Sequence, residues 1–453
     1  MATAGRIRTL IAAAGVSLAL GLAAPAHAQV DLARARLVTL TNGLRVLLVP
    51  DSMATALEVS SWFDAGTGNE TPGHPGITRV IERLVSRGAA GSDRSRRVAA
   101  EGGLAGSLTL PDAVCFFETL PAGALELGFQ IAAERMKPLA VSAAELDAER
   151  ARLRDGQRDR GAGGPGVRGL ERLHAALYPA VSARPPVSGP DADLSRITAR
   201  DCEDDFRARF APNRAFVIVA GRFDPERALD LARTWLQPVP RRPGPPVRPV
   251  AAAAVRDRRV TEPLDLDLRL FFVGWRAPGK GSADAVPLDL LGRILGSGPD
   301  SRLAREAVGP DHDLLFGQAG YEGRRESGMF FAYGALRPGV DSAAVEKDLI
   351  ARIETLAAEP VGAEELERVK RQAECAALFA WQTMQGRAMA LGAAQLVEGD
   401  FQGAWRQLGR IRASSAADLQ RAAARMLKTQ TRSVVWLVPS AAVRAAQGAE
   451  GGR

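Results

Sequence analysis

The sequence predicts an α+β protein of two homologous lobes, each a mixed, mostly antiparallel sheet packed with helices. The chain has 453 residues, too many for one ordinary core. Each half begins with strand-like segments, continues through helical periodicities and closes on an apolar strand. The closing segments are weakly alike: APNRAFVIVAG at Ala211–Gly221 and KTQTRSVVWLVP at Lys428–Pro439.

In the first half, two β-rich runs flank Asn42-Gly43, which predicts a hairpin over Arg36–Pro50. Apolar residues recur on one helical face over Ile77–Arg87. Gly161–Gly169 is interpreted as a flexible break. The other predicted elements are strands at Leu57–Ala65, around Ser107–Leu120 and at Ala215–Ala220, and helices at Ala122–Met136, Ser142–Arg158, Asp201–Phe210 and Pro225–Leu236.

Pro238–Pro249 contains six prolines in twelve positions, a composition typical of a semi-rigid linker. The pattern then restarts. Its predicted strands are Leu264–Trp275, Gly328–Leu336 and Ser433–Val438, and its predicted helices are Asp284–Leu295, Ser301–Val308, Ser342–Ala358, Ala363–Leu391 and Ala416–Met426.

Residues 1–28 have the pattern of a signal peptide. Arg6 and Arg8 precede the apolar run Leu10–Ala24, and Ala26-His27-Ala28 supplies a cleavage site. The run is shorter than the ~20 residues that a membrane span needs. We therefore expect a periplasmic or otherwise secreted protein with no integral membrane segment after cleavage. The expected division is an N-terminal lobe at 29–237, a linker at 238–262, a C-terminal lobe at 263–445 and a flexible tail at 446–453.

Composition argues against two classes of protein. The net charge of +7 is spread along the chain and aromatic residues are 5%, so nucleic-acid binding is not expected. The cysteines Cys115, Cys202 and Cys375 are scattered and odd in number, which does not indicate a disulfide framework. One disulfide bond in an oxidising compartment stays open.

Several stretches, in order and spacing, resemble the insulinase/pitrilysin family of zinc peptidases, in its two-lobe bacterial type. They are LTNGLRVLLVPD, WFDAGTGNETPGHPGITRVIERLVSRGAAGS, LYPAVSARPPVSGPDADLSRITARDCEDDFRARFAPNRAFVIVAGRFDPE, LLGRILGSGPDSRLARE and GAEELERVKRQAECAALF. The resemblance covers nearly all of the chain after residue 28. It implies the insulinase-like metallopeptidase fold.

Active members of that family carry the inverted zinc motif His-x-x-Glu-His on a helix. The resemblance assigns Arg79 and Arg83 to the two histidine positions and Glu82 to the general base. A guanidinium has no lone pair to donate and is cationic at ordinary pH. We therefore expect a catalytically degenerate member with no metal and no cofactor. Glu82 is expected to form ion pairs with Arg79, Arg83 or Arg87 instead.

The family's third ligand is a glutamate on a later helix, and the best alignment assigns its position to Gly156, with Asp155 beside it. The histidines after residue 28 are His74, His174 and His312, and no two have ligand spacing. His74 is interpreted as an exposed loop residue and His174 as a helix-surface residue.

The positions that contact substrate also depart from the family pattern. Family members bind peptide along an edge strand with an Asn-Ala-x-Thr-like sequence. The corresponding stretch is Ala105-Gly106-Ser107, with Ala105 at the asparagine position. In the second lobe, Arg305 corresponds to a substrate-contacting arginine and Phe316 to a tyrosine. Tyr321, nearby in sequence, remains open as a replacement for that tyrosine.

Three functions follow from the resemblance. The first is a non-catalytic subunit, similar to those of mitochondrial processing peptidase, that pairs with an active zinc-motif homologue in a periplasmic chamber for degrading or processing peptides. The second is a stand-alone peptide-binding or scaffold protein of the same fold. The third is an autonomous enzyme with a rebuilt site. We expect the first.

Overall fold

The computed structural model of the protein describes residues 34–70, 73–88, 93–159, 164–179, 191–244, 258–428 and 431–440. Two mixed sheets are packed with helices, which confirms the predicted α+β class. The strands are β1 Arg36–Thr39, β2 Arg45–Pro50, β3 Ala56–Phe63, β4 Leu104–Thr109, β5 Val114–Pro121, β6 Ala215–Gly221, β7 Arg258–Leu264, β8 Leu270–Pro278, β9 Leu314–Gly323, β10 Ser327–Leu336 and β11 Arg432–Pro439.

Helices follow the strands in both halves. They are α1 Ile77–Arg87, α2 Arg94–Ala100, α3 Leu125–Glu134, α4 Ala143–Asp159, α5 Gly164–Leu177, α6 Asp191–Arg196, α7 Ala199–Arg209, α8 Pro225–Trp235, α9 Ala285–Gly296, α10 Arg302–Glu306, α11 Ser342–Ala358, α12 Ala363–Ala380, α13 Met384–Val397, α14 Gly403–Ala413 and α15 Ala416–Met426.

The two sheets have corresponding topologies. The first has the order β1-β2-β6-β3-β5-β4 and the second β7-β11-β8-β10-β9. In each, the closing strand pairs in parallel with an early strand, β6 with β2 and β11 with β7, and the other pairs are antiparallel. The helix before each closing strand begins with a capping box, Thr198 with Asp201 and Ser415 with Asp418.

Local patterns located many elements correctly. The Asn42-Gly43 hairpin is confirmed, with β1 and β2 antiparallel. Helices α1 and α11 have the predicted bounds. The hydroxyl of Ser142 and the carboxylate of Glu145 exchange hydrogen bonds with each other's backbone at the start of α4, as a capping box requires.

A helix from each half packs on the sheet of the other half. Helix α5 covers one face of the second sheet, where Leu173 and Leu177 join a core with Phe272 and Val435. Helix α13 covers one face of the first sheet. Its core partners there are Trp62, Phe216, Ile218 and Leu47. Each sheet therefore depends on the other half of the chain for one of its two apolar layers.

A glycine allows each of these exchanged helices to approach an aromatic ring. A Cβ on Gly169 of α5 would lie 2.0 Å from the ring of Phe272, and one on Gly392 of α13 would lie 2.2 Å from the ring of Trp62. The prediction that Gly161–Gly169 is a flexible break is therefore wrong for residues 164–169. Glycine serves here for close packing of a helix on a sheet.

Polar contacts also join the halves. Arg325, in the β9–β10 hairpin, donates to Asp64 at the end of β3 over 2.9 Å. The backbone amide of Arg325 donates to the carboxylate of Asp112 over 2.9 Å. Arg387 of α13 pairs with Asp51 after β2. These contacts fix the first sheet against the hairpin and helix of the second half.

Two further predictions need correction, and some elements were not predicted. The predicted helix Ala363–Leu391 is two helices, α12 and α13. The first ends with Trp381 as its C-cap, and the second begins after Thr383, its N-cap. The proposed linker 238–262 extends too far, since β7 begins at Arg258 and pairs with β11. Strand β9 and helix α14 are not among the predicted elements.

The signal-peptide prediction at residues 1–28 and the tail at 446–453 lie outside the described residues. The three cysteines are free thiols in the structure. Within the described ranges, no helix combines the length and apolar character that a bilayer span requires.

Candidate functional site

The candidate site is built on α1, and a buried carboxylate defines where that helix begins. Gly76 precedes α1 with φ of 89°, a conformation that favours glycine. Glu70 accepts hydrogen bonds from the backbone amides of Gly76 and Thr78 over 2.8 and 3.0 Å. Burial raises the pKa of Glu70 to about 7, although these amides favour its charged form.

Glu82 belongs to the motif on α1, and its side chain is buried against β4. Its carboxylate accepts hydrogen bonds from the hydroxyls of Ser107 and, over 3.2 Å, Thr109. Arg79 forms an ion pair with the same carboxylate over 3.2 Å. Both carboxylate oxygens of Glu82 are thus engaged by this chain's own side chains.

A second buried carboxylate, Glu149 of α4, binds the other arginines of α1. Arg83 and Arg87 each donate to it over 3.2 Å, and Arg152 donates over 2.8 Å. Burial alone would raise the pKa of Glu149, but the hydrogen bonds from Arg152, Arg83 and Arg87 lower it below its ordinary value. Of the ion pairs expected for Glu82, the structure contains the one with Arg79, and Arg83 and Arg87 pair with Glu149 instead.

This arrangement does not fit a zinc ion. Arg79 and Arg83, which the resemblance assigns to the two histidine positions, offer N–H donors, whereas a metal ion needs lone pairs. The carboxylates of Glu82 and Glu149 are already hydrogen-bonded to hydroxyls and guanidinium groups. Among the described residues, no three His, Cys, Asp or Glu side chains come together in a group that could hold a metal.

The remaining ligand candidates lie elsewhere. Gly156 is within α4, two turns after Glu149, and Asp155 beside it is exposed. His74 lies beside Asp201 of α7, with 3.7 Å between Nε2 and Oδ2. His174 is buried in α5 against the ring of Tyr178, so its interpretation as a surface residue is wrong. Burial between the halves lowers the pKa of His174 to about 2, with the charge of Arg324 contributing.

Ala105, Gly106 and Ser107 lie on β4, the outermost strand of the first sheet. Ser107 contacts the motif helix, with 2.8 Å between its Oγ and that of Ser86. A Cβ on Gly106 would lie 2.3 Å from the ring of Phe117, so only glycine fits there without rearrangement. The strand is therefore attached to α1 on one face, and on its other face the ring of Phe117 lies over Gly106.

Arg305 and Phe316 lie in the second half, on α10 and β9. Arg305 is directed to Glu365 at 3.6 Å, and Phe316 packs edge-on against Tyr333 with 6.0 Å between ring centroids. The hydroxyl of Tyr321 donates to the carbonyl of Pro278 over 2.7 Å. Tyr321 is on the strand face opposite to Phe316, because the two lie five positions apart along β9, and it does not take over that position.

Sequence reasoning missed the arginine cluster at Glu149 and the hydroxyls that bind Glu82. The spacing of Glu149 and Arg152 indicated one of these contacts, because residues three apart are neighbours on a helix. Ser107 and Thr109, two apart on a strand, share a face in the same way. The pairing of Glu149 with α1 had no local signal, since 66 residues separate it from Arg83.

Comparison with known proteins identifies the class. Residues 196–373 match the family model "Peptidase M16 inactive domain". The chain is 26% identical over 436 residues to "Zinc protease PqqE" of Helicobacter pylori, covering 92% of this chain and 96% of that protein. A solved protease from Helicobacter pylori superimposes with a TM-score of 0.83 at 22% identity, covering 90% of this chain and 99% of that one. A "peptidase M16 inactive domain" from Pseudomonas fluorescens gives a TM-score of 0.79 at 16% identity, covering 90% and 98%.

Two relatives are named as subunits. "Cytochrome b-c1 complex subunit 1" of Mus musculus is 23% identical over 285 residues, 61% of this chain and 58% of that protein. "Probable mitochondrial-processing peptidase subunit beta" of Arabidopsis thaliana is 23% identical over 274 residues, 58% of this chain and 50% of that protein. The protein is a two-lobed peptidase-like chain similar to the insulinase/pitrilysin (M16) family, and its residues 196–373 match the model of that family's inactive domain.

Proposed function

We propose that this chain is a non-catalytic subunit that pairs with an active zinc-motif homologue and forms part of a periplasmic chamber for degrading or processing peptides. The observation that carries the proposal is the set of ion pairs at the motif. Arg79 and Arg83, at the positions where the resemblance expects the two histidine ligands, are paired with Glu82 and Glu149. A chain with these donors contributes architecture and not a metal centre.

The relatives named as subunits support pairing with a homologue, because a peptidase-like chain that lacks metal-ligating residues can still serve as one part of an assembly. The periplasm follows from the signal-peptide pattern at residues 1–28. The relatives named as zinc proteases support the peptide chemistry of the partner.

The test is co-expression with a family member that has an intact His-x-x-Glu-His motif, followed by affinity purification and size-exclusion chromatography. We expect a stable complex of the two chains. Recovery of this chain as a monomer or self-dimer, with the homologue present in equal amount, would refute the pairing.

A stand-alone scaffold is the second candidate, and the similarity to a subunit of the cytochrome b-c1 complex favours it. It predicts an assembly that contains no protease. Metal analysis of the purified chain separates both candidates from an autonomous enzyme. Stoichiometric zinc together with peptide cleavage that Glu82→Gln abolishes would overturn the non-catalytic assignment.

A further inference from the structure

Three guanidinium groups converge on one carboxylate between α1 and α4. Arg83 donates through Nε to Oε1 of Glu149 over 3.2 Å. Arg87 and Arg152 donate to Oε2 of the same carboxylate over 3.2 and 2.8 Å. The Glu149 side chain is buried, whereas the side chains of the three arginines are 43%, 51% and 46% exposed. The carboxylate therefore lies beneath a surface that the guanidinium groups form.

Positive charge is in excess at this cluster. The Glu149 carboxylate compensates one of the three guanidinium groups. The charge of Glu145, one turn earlier on α4, acts on Arg87, but that carboxylate is hydrogen-bonded at the start of its own helix. Glu82, the buried carboxylate of α1, is paired with Arg79. One guanidinium charge is therefore left uncompensated, and like charges held this close repel one another.

The cluster also has unused hydrogen-bond donors. A guanidinium group carries five N–H groups and accepts no hydrogen bond. Each of the three arginines directs one nitrogen to Glu149, and within the described part of the chain their guanidinium groups make no second hydrogen bond. Because these side chains are about half exposed, the remaining N–H groups are available to a ligand that arrives from solvent.

The placement of the donors favours a tetrahedral oxyanion over a carboxylate. Arg83 and Arg87 lie one turn apart on α1, and Arg152 lies on α4. Their N–H groups therefore approach a shared ligand from two helices. A carboxylate offers two oxygens in one plane, whereas a phosphate offers oxygens in several directions, and a guanidinium group can donate to two of them at once.

We propose that Arg83, Arg87 and Arg152 form a binding site for a tetrahedral oxyanion of the phosphate or phosphoryl class. The bound anion neutralises the excess charge and bridges α1 and α4 from the solvent side. Arg83 stands at a position that the resemblance assigns to a zinc ligand, so the degenerate motif contributes to an anion site. The site needs no partner chain, and its test is independent of the pairing test.

The test is isothermal titration calorimetry of the purified full chain with sodium phosphate at pH 7 and low ionic strength. We expect one phosphate bound per chain with a Kd of about 1 mM or tighter, and weaker binding when sodium chloride is added. Acetate, which has a single carboxylate, should bind at least about fivefold more weakly.

Glycerol 3-phosphate identifies the source of the anion. Binding at least about tenfold tighter than that of phosphate supports the site and assigns it to the phosphoryl group of a larger molecule. Binding equal to that of phosphate supports the site and assigns it to the free anion.

Arg83→Gln/Arg87→Gln should weaken phosphate binding at least about tenfold. The matched control is Arg233→Gln, which removes an exposed arginine on α8 that pairs with Asp230 and should leave the Kd unchanged. Thermal melting verifies that each variant folds. If the double variant does not fold, Arg152→Gln replaces it, because Arg83 and Arg87 then still compensate Glu149, and it should weaken binding at least about threefold.

Three results would overturn the proposal: no binding of phosphate at about 10 mM, equal affinity for phosphate and acetate, or equal affinity in the control and in the variants of the cluster. Phosphate also stabilises proteins by exclusion from their surface, without occupying a site. A rise in melting temperature with phosphate therefore supports the site only where the control shows it and the cluster variant does not, and an equal rise in both counts against it.

Discussion

The structure predicts that Glu82 stabilises the fold more than its partner Arg79 does. Glu82 is buried and binds the hydroxyls of Ser107 and Thr109 as well as Arg79. Glu82→Ala leaves two half-buried hydroxyls without this acceptor and opens a cavity. A buried polar group that loses its hydrogen-bond partner costs about 1–3 kcal/mol, and the cost is near the low end here because water reaches β4. Together with the cavity, the free energy of unfolding should fall by about 2–4 kcal/mol.

Arg79→Ala should lower the free energy of unfolding by about 1 kcal/mol or less. The side chain of Arg79 is 28% exposed, so solvent screens its ion pair, and Glu82 keeps both hydroxyl donors when Arg79 is removed. Glu82→Gln should be intermediate, because its amide oxygen still accepts one hydroxyl. The assay is urea unfolding at pH 7 followed by tryptophan fluorescence and far-UV circular dichroism.

Hydrogen exchange locates the effect. In Glu82→Ala the amides of β4 should exchange faster than in the wild type, because Ser107 and Thr109 lose their anchor. The amides of β6, at the centre of the same sheet, serve as the internal reference. An Arg79→Ala cost equal to or above that of Glu82→Ala would show that the ion pair, and not the hydroxyl contacts, holds the carboxylate, and would refute this reasoning.

Two further predictions concern the face of the first sheet that α13 covers. Burial raises the pKa of Glu58 to about 7. Between pH 4.5 and 7 the unfolded chain therefore binds fewer protons at this residue than the folded chain does. The free energy of unfolding should fall by up to about 3 kcal/mol as pH rises from 5 to 8. Glu58→Gln, which keeps an acceptor for Thr119, should remove most of that loss in urea unfolding, and an unchanged pH slope would contradict it. Gly392→Ala should lower the free energy of unfolding by about 1–3 kcal/mol, because the added methyl group would clash with Trp62. The control is Gly409→Ala, which lies in open space on α14 and should not lower it. Equal midpoints of the two variants in thermal melts would contradict the packing of α13 on Trp62.

The sequence predicted those elements whose signals are local. The apolar periodicity of α1, the Asn42-Gly43 turn and the capping box of α4 each depend on residues within a few positions of one another. Strand β9 had no such signal, because its run LLFGQAGYEG contains three glycines. It forms a strand by pairing along its length with β10, where the ring of Phe331 covers Gly320.

In the candidate site, too, contacts within one helix could be predicted from the sequence, whereas contacts between distant elements could not. The resemblance assigns the motif positions Arg79, Glu82 and Arg83, and spacing on one helix predicts the Arg79–Glu82 ion pair. The contact of Arg83 with Glu149 depends on how α4 packs against α1, which no local pattern contains. Burial of His174 likewise depends on where α5 packs, and a helix with one apolar face does not reveal which sheet it covers.

The exchange of α5 and α13 implies that neither half folds alone, although each has its own sheet. Without α13, residues 29–237 would expose Leu47, Trp62, Phe216 and Ile218, which the intact chain buries. At roughly 2 kcal/mol for each large apolar side chain, this loss is about 8 kcal/mol, comparable to the roughly 5–15 kcal/mol of total stability of a typical domain.

We therefore expect residues 29–237 expressed alone to be insoluble or to lack cooperative unfolding. Co-expression with residues 238–453 should yield a soluble complex of the two fragments, because α5 and α13 then again cover the opposite sheets. A soluble first fragment with a sharp thermal transition would refute this interdependence. If the interdependence holds, α1 and β4 are held in place partly by the second half, since the sheet that carries β4 is completed by α13.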